Sequence, residues 1–259
     1  MGNLDVLRKI PDTGYRESAP EINSTEFEKV IHSRRSVRVF MQDEKIPDEI
    51  VEKCLDAALA APNSSNLQPW EFYWIKDEAK LNRIKELCVS QSAARTAPTI
   101  IVAVAKMNTW ERNRKLMIDF FNKQEKRPPK GAYLYYEKLA KLSYFQGFFN
   151  YFGFFKSILF FFQRLKGDIV AQPPTSYSDM RVWAHKSTAL ACENLMLAFR
   201  AYGYDTCPME GLDPVGIQKF LGLDSQSEIC MAISAGKRAP NGIFSPRVRF
   251  DKKLFIKRV

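Results

Sequence analysis

Histidine is almost absent from this 259-residue chain. Only His32 and His185 occur, too few for most imidazole-based metal sites, and a structural role is the simpler expectation for each. Cysteine is sparse and scattered. Cys54, Cys88, Cys192, Cys207 and Cys230 form no C-x-x-C pair and no cluster with histidine, which argues against zinc and disulfide frameworks and for a reducing cytoplasm. No Ser-His-Asp set, pair of catalytic carboxylates, P-loop, internal repeat or Gly/Ser linker stands out. The opening "MGNLDVLRKIPDTGY" has no continuous apolar run behind its charges, so no secretory signal is expected. Met-Gly is followed at position 6 by Val6 rather than Ser or Thr, so myristoylation is not expected either.

What is present is a positive charge of +10, unevenly placed. Twelve Lys/Arg against four Asp/Glu lie between Glu111 and Lys166, a local +8, so the other 203 residues carry only about +2. The same region holds "YFQGFFNYFGFFKSILFFFQRLK", with nine of the nineteen phenylalanines. With no nucleic-acid motif in view, an anionic membrane surface is the more economical partner for that charge.

The apolar fraction, 46%, suits a buried core, and the length suits one domain over 1–259 with a basic, Phe-rich insertion at about 108–178. "STEFEKVIHSR" predicts a helix, with Thr25 and Glu28 at capping-box spacing. "IPDEIVEKCLDAALAAP", Asp77 to about Val89, "VWAHKSTALACENLMLAFRAYGYD" and "DPVGIQKFLGL" predict four more helices. "EFYWIK", "TIIVAVAK" and "EICMAISAG" predict strands. The loose alternation implies an α+β fold.

Two stretches carry chemistry. "RRSVRVF" sets Arg34, Arg35, Ser36 and Arg38 within five residues after a helix, which suits a phosphate grip as well as a solvated basic patch. "APNSSNLQPWEF" has more amides and hydroxyls than a turn needs: Asn63, Ser64, Ser65, Asn66 and Gln68. In that order, with "TAPTIIV", "AYGYDTCPMEGLDP" and "LGLDSQSEICMAISAG" further on, the sequence resembles the FMN-dependent nitroreductase family over about residues 24–106 and 182–250.

That resemblance implies a three-layer fold with a central, mostly antiparallel sheet, and an intertwined homodimer with two FMN sites at its interface. It assigns Arg34, Arg35 and Ser36 to the FMN phosphate and ribityl chain, and Arg38 to the flavin carbonyl edge. Gln91 falls at the pyrimidine ring, and Arg247 and Arg249 of "PRVR" at a second phosphate grip. Pro62, Asn63, Ser64 and Asn66 match contacts made from the partner subunit. Pro208, Met209, Glu210 and Gly211 match a turn whose backbone amide faces flavin N5, so no side chain is needed as a general acid. Two departures stand out: Ser187 where some relatives have Gln, and Arg35 where His is commoner.

The implied activity is reduction of an apolar planar acceptor (quinone, nitroaromatic or enone) by NAD(P)H through the flavin, in a cytoplasmic enzyme. Two alternatives stand beside it. One is a flavin-binding protein without turnover that docks a partner or bilayer through its aromatic insertion. The other is a dehalogenase-like relative, against which the insertion's place after the A-P strand counts. For the insertion itself, either a buried hairpin or an amphipathic cover touching membrane fits, with Trp110, Tyr133, Tyr135 and Tyr136 suited to an interface. Lys156 near the middle of the Phe-rich run argues against a span. If helical, that run sets Gln146, Asn150, Gly153, Ser157 and Arg164 near one face.

Overall fold

A computed structural model describes residues 15–125 and 128–259. The expectations for the first fourteen residues lie outside it. Four strands, β1 (Trp70–Trp74), β2 (Thr99–Lys106), β3 (Asp205–Met209) and β4 (Ser227–Gly236), form one antiparallel sheet in the order β1-β2-β4-β3. Every residue of β2 is buried, as its branched run predicts for an inner strand covered on both faces.

The helices make the outer layers. On one face α2 (Asp48–Leu59) and α9 (Tyr177–Ala201) pack Val51, Cys54, Ala58, Leu195 and Phe199 against Ile101, Ala103 and Ile233. On the other, α3 (Glu78–Leu87) and α10 (Pro214–Phe220) bring Ile84, Leu87 and Ile217 against Ile100, Val102 and Val104. Helices α1 (Ser24–Ser33) and α4 (Ser92–Thr96) flank the site described below. The three-layer α+β expectation holds.

Local expectations are corrected at three points. Asn23, not Thr25, caps α1: its Oδ1 accepts from the Thr25 and Glu26 amides at 3.0 and 3.4 Å. A capping box does occur, at the start of α9, where Ser176 and Asp179 bond reciprocally and begin that helix earlier than its apolar pattern suggests. Pro208 and Met209 end strand β3 rather than sit in a turn, paired with Ile233 and Ala232; the turn starts at Glu210.

Between β2 and α9 the chain forms α5 (Trp110–Lys123), α6 (Lys130–Leu134), a π-helical turn (Tyr135–Leu139), α7 (Ala140–Tyr144) and α8 (Tyr151–Leu165). Left-handed Phe149 and Asn150 precede α8, so the polar residues from Gln146 to Arg164 do not share one continuous helix. Most of them meet the chain that leads into α9 instead. Gln146 donates to the Pro174 carbonyl at 2.9 Å, Asn150 to Thr175 at 3.2 Å and Arg164 to Gln172 at 2.5 Å. Ser157 bonds within its own helix, to the Gly153 carbonyl. Lys156, 8% exposed, donates to the carbonyls of Pro174, Ser143, Phe145 and Leu142 at 2.8 to 3.4 Å.

The outer side of α8 is left apolar and open: Phe154, Phe155, Phe161 and Phe162 are exposed, as are Phe148 and Phe149 just before it. Of the aromatic residues expected at an interface, Tyr133 is half-buried and three others have partners inside the protein. Tyr136 is buried, Trp110 stacks on Tyr144, and Tyr135 bonds Ser65. Their hydroxyls and rings thus serve the packing of the insertion on the Ser64–Ser65 loop. Among the described residues, no helix is long and apolar enough to cross a membrane.

Candidate active site

The segment after α1 runs beside β3, with Ser36 bridged to Thr206 and the Val37 amide bonded to the Thr206 carbonyl at 3.0 Å. The Arg38 amide reaches the Gly242 carbonyl at 2.7 Å, so the chain after β4 closes over the same segment. Together they enclose a cleft of about 220 Å³ lined by Arg34, Arg35, Ser36, Arg38, Arg247 and Arg249. Two sequence stretches more than 200 residues apart thus meet. Arg247 donates to the carbonyls of His32 and Arg34, and Arg35 to that of Ser245 at 2.5 Å.

Among the described residues, no carboxylate lines this cleft. Desolvation, then the charges of Arg249, Arg35 and Arg34, press the Arg247 pKa down. Arg34 Nη1 is buried without an acceptor. Five guanidinium groups facing one space, one with an orphaned donor, suit an anion carrying several oxygens. Arg38 turns to the inner end, 3.4 Å from Cys207 Sγ. Burial pushes the Cys207 thiol up, and the neighbouring Arg38 and Arg34 charges pull the other way.

Gln91 lies at the entry to α4. Its Nε2 donates to the Cys88 carbonyl at 3.1 Å and to the Gly211 carbonyl at 3.0 Å, tying it to the turn after β3. Glu210 and Gly211 are exposed, and a Cβ at Gly211 would meet nothing within 4 Å, so the space before that backbone is open. Met209 points into the core, so only its backbone can serve the site.

Pro62, Asn63, Ser64 and Asn66 line no part of the arginine cleft. Their loop is held by its own bonds and by the inserted helices. Asn63 Oδ1 caps the Gln68 amide at 2.7 Å, and Ser65, Asn66 and Gln68 adopt left-handed backbone. Ser64 Oγ meets the Tyr144 hydroxyl at 3.0 Å, and Ser65 Oγ meets those of Tyr135 and Tyr144 at 2.5 and 3.1 Å. Tyr136 donates to the Ser65 carbonyl at 3.0 Å. These tyrosine anchors escaped the sequence reading, because nothing in the spacing of the insertion marks which hydroxyls turn inward.

The sequence profile of the nitroreductase family matches residues 31–237. The chain belongs to the nitroreductase family. An NADH dehydrogenase of Thermus thermophilus is 25% identical to it over 85% of this chain and 90% of that protein. A nitroreductase from Exiguobacterium sibiricum, solved in complex with FMN, aligns with a TM-score of 0.63 at 22% identity, over 94% of this chain and 99% of that one. The enone reductase CLA-ER, from gut-bacterial fatty acid saturation, aligns with a TM-score of 0.61 at 21% identity, over 90% and 97%.

With the family come an oxidoreductase activity, FMN as cofactor and NAD(P)H as electron donor. The arginine cleft fits FMN on its own chemistry: a phosphate dianion would meet the orphaned Arg34 donor and neutralise the clustered charge. Ser187 of this nitroreductase is buried and donates to the Trp183 carbonyl of its own helix at 3.0 Å. It has no free donor for a ligand. His185 pairs with Glu228 at 3.1 Å, away from the cleft.

Proposed function

We propose that this protein is a homodimeric FMN-dependent oxidoreductase that reduces an apolar planar acceptor (quinone, nitroaromatic or enone) with NADH or NADPH, working at a membrane surface. The observation that carries it is the cleft of five arginines with no carboxylate among its lining residues. Arg34, Arg35, Ser36, Arg247 and Arg249 hold the FMN phosphate and ribityl chain. Arg38 presents a cation to the ring's carbonyl edge, which favours the reduced, anionic ring. Gln91 serves the pyrimidine end, and the backbone at Pro208, Met209, Glu210 and Gly211 serves the N5 edge. Bound FMN supplies the hydride exchange itself, so these residues bind, orient and bias rather than transfer protons.

Pro62, Asn63, Ser64 and Asn66 act at the other subunit's flavin, which accounts for their absence from their own chain's cleft. The exposed Phe244, Val248, Phe250, Phe255 and Ile256 of the C-terminal arm support a partner that covers them. The membrane contact rests on the exposed phenylalanines of α8 and the local +8 charge, each basic residue near anionic lipid adding about 1 kcal/mol. Removal of residues 144–165 in favour of a short linker is expected to abolish flotation with anionic liposomes; flotation of neither protein contradicts the membrane part alone.

Anaerobic titration tests the chemistry. NADH or NADPH is expected to bleach the flavin, and a quinone to restore its colour with release of NAD(P)+ already complete. Tight FMN retention without bleaching by either nucleotide contradicts the enzyme and supports the non-catalytic flavoprotein.

A further inference from the structure

Beneath α8 lies a second, larger cavity of about 920 Å³, distinct in its lining from the arginine cleft. Its walls are mostly apolar: Leu139, Phe152, Leu159, Phe160, Val182 and Trp183. Lys156, Asp179 and Lys186 add charge to the wall near the start of α9, and a second polar part lies elsewhere. There Ser64, Ser65, Tyr135 and Tyr144 form the hydroxyl cluster described above, on the loop that reaches the flavin in the proposed function.

Three features bear on an occupant. First, the volume is at the upper end of the ~300–1,000 Å³ range for small-molecule pockets and exceeds what a planar ring alone needs. Second, Trp183 is 6% exposed and packs on Tyr144 at 4.7 Å between centroids, with its indole N–H turned toward the Tyr144 hydroxyl. That contact fixes the Tyr144 ring and hydroxyl at the cavity wall. Third, α8 is apolar on both sides, with Phe152, Leu159 and Phe160 toward the cavity and Phe154, Phe155, Phe161 and Phe162 toward the outside. Apart from the polar strip of Lys156, Ser157, Gln163 and Arg164, the helix offers apolar surface to the cavity and to the outside. The anchors of α8 leave its apolar residues free for that: Gln146, Asn150 and Lys156 bond the chain at Pro174–Thr175, and Gly153 lets that chain pass close.

We infer that this cavity seats the apolar chain of the acceptor, and that the substrate is a lipid with a conjugated carbonyl head, a quinone or enone bearing an isoprenoid or acyl tail. This rests on the proposed function and names its substrate class. The head carbonyl accepts from the Ser65–Tyr135–Tyr144 hydroxyls, and the tail runs along the inner side of α8. Two electrons and one proton leave NAD(P)H as hydride, by way of the flavin, and a second proton comes from solvent. The acceptor gains two hydrogens across its conjugated carbonyl system, and NAD(P)+ departs.

The test compares one quinone ring with and without a decyl chain, on the FMN-loaded full-length protein. The wild type is expected to show at least tenfold higher kcat/KM for the chain-bearing form. Leu139→Trp and Val182→Trp, which fill the cavity from two separate helices, are expected to remove that preference. Both should change the rate with the bare ring, and the bleaching by NAD(P)H, by less than twofold. Equal kcat/KM for the two quinones in the wild type overturns the inference, as does an equal loss on both quinones in both variants. If neither nucleotide bleaches the flavin, the oxidoreductase reading fails by itself. Calorimetric binding of the decyl quinone then still decides the cavity: binding weakened tenfold by Leu139→Trp supports it, and no binding overturns it.

Discussion

Gln91 and Gly211, 120 residues apart in sequence, are joined by a hydrogen bond of 3.0 Å from the glutamine side-chain amide to the glycine carbonyl. The other Nε2 hydrogen goes to the Cys88 carbonyl at 3.1 Å. Both partners are carbonyls, so the amide can have only one orientation here. Both its donors are engaged within the protein, and only Oε1 remains to offer a ligand. The contact proposed for Gln91 at the pyrimidine ring would therefore use it as an acceptor, while its donors hold the turn after β3.

Gln91→Leu is expected to orphan the Gly211 carbonyl and remove that acceptor. The loss of hydrogen bonding, about 1 ± 0.5 kcal/mol per bond, corresponds to roughly five- to tenfold weaker FMN binding. Fluorescence titration of FMN measures it. Unchanged affinity contradicts a role for Gln91 at the flavin.

Lys156 gives a pH dependence of known sign. Burial pushes its ammonium down to about 8 from 10.5, with Asp179 opposing. Between those values the unfolded chain holds more protons than the folded one, so this group makes stability rise with pH across that window. Below about pH 8 both states are protonated and its contribution is flat. The Tm difference between wild type and Lys156→Met is thus expected to move in favour of the wild type from pH 8 to 10. A difference that moves the other way, or stays level, contradicts this burial of the charge.

Gly153→Ala tests how α8 is held. The added Cβ would lie 2.1 Å from the Thr175 carbonyl oxygen, with Gln146 Oε1 and Asn150 Oδ1 at 2.6 and 2.7 Å. Both amide oxygens are already buried without donors, so the crowding has no easy relief. Overpacking of this kind costs about 1–3 kcal/mol. The expected outcome is faster limited proteolysis within residues 145–172, with FMN affinity unchanged within twofold. Wild-type resistance would show that α8 is held by something else.

Much of this was legible in the sequence where local rules agree with tertiary structure. The branched run of β2 and the arginines of "RRSVRVF" are such places. Strand β3 was not, because Asp205 and Pro208 are poor strand formers and only pairing with β4 makes the segment a strand. At the edge of the sheet, the missing Pro208 N–H is tolerated. The polar residues around Gly153 were visible as a group, but their partner, the extended chain at Pro174–Thr175, has no pattern of its own. The tyrosines that hold the Ser64–Ser65 loop were hidden for a related reason. In so aromatic a segment, nothing separates a hydroxyl that turns inward from one that faces water.

The most direct test of the arginine cleft is a paired titration of the apoprotein with FMN and with riboflavin, which lacks the phosphate. The wild type is expected to bind FMN at least a hundredfold more tightly, with the preference falling as salt rises. Arg34→Ala and Arg247→Ala are each expected to weaken FMN by tenfold or more, leaving riboflavin within about threefold, in line with ~1.5–3 kcal/mol for a hydrogen bond to a charged group. Equal affinity for the two flavins, or variants that weaken both alike, would contradict the assignment of the cleft to the FMN phosphate.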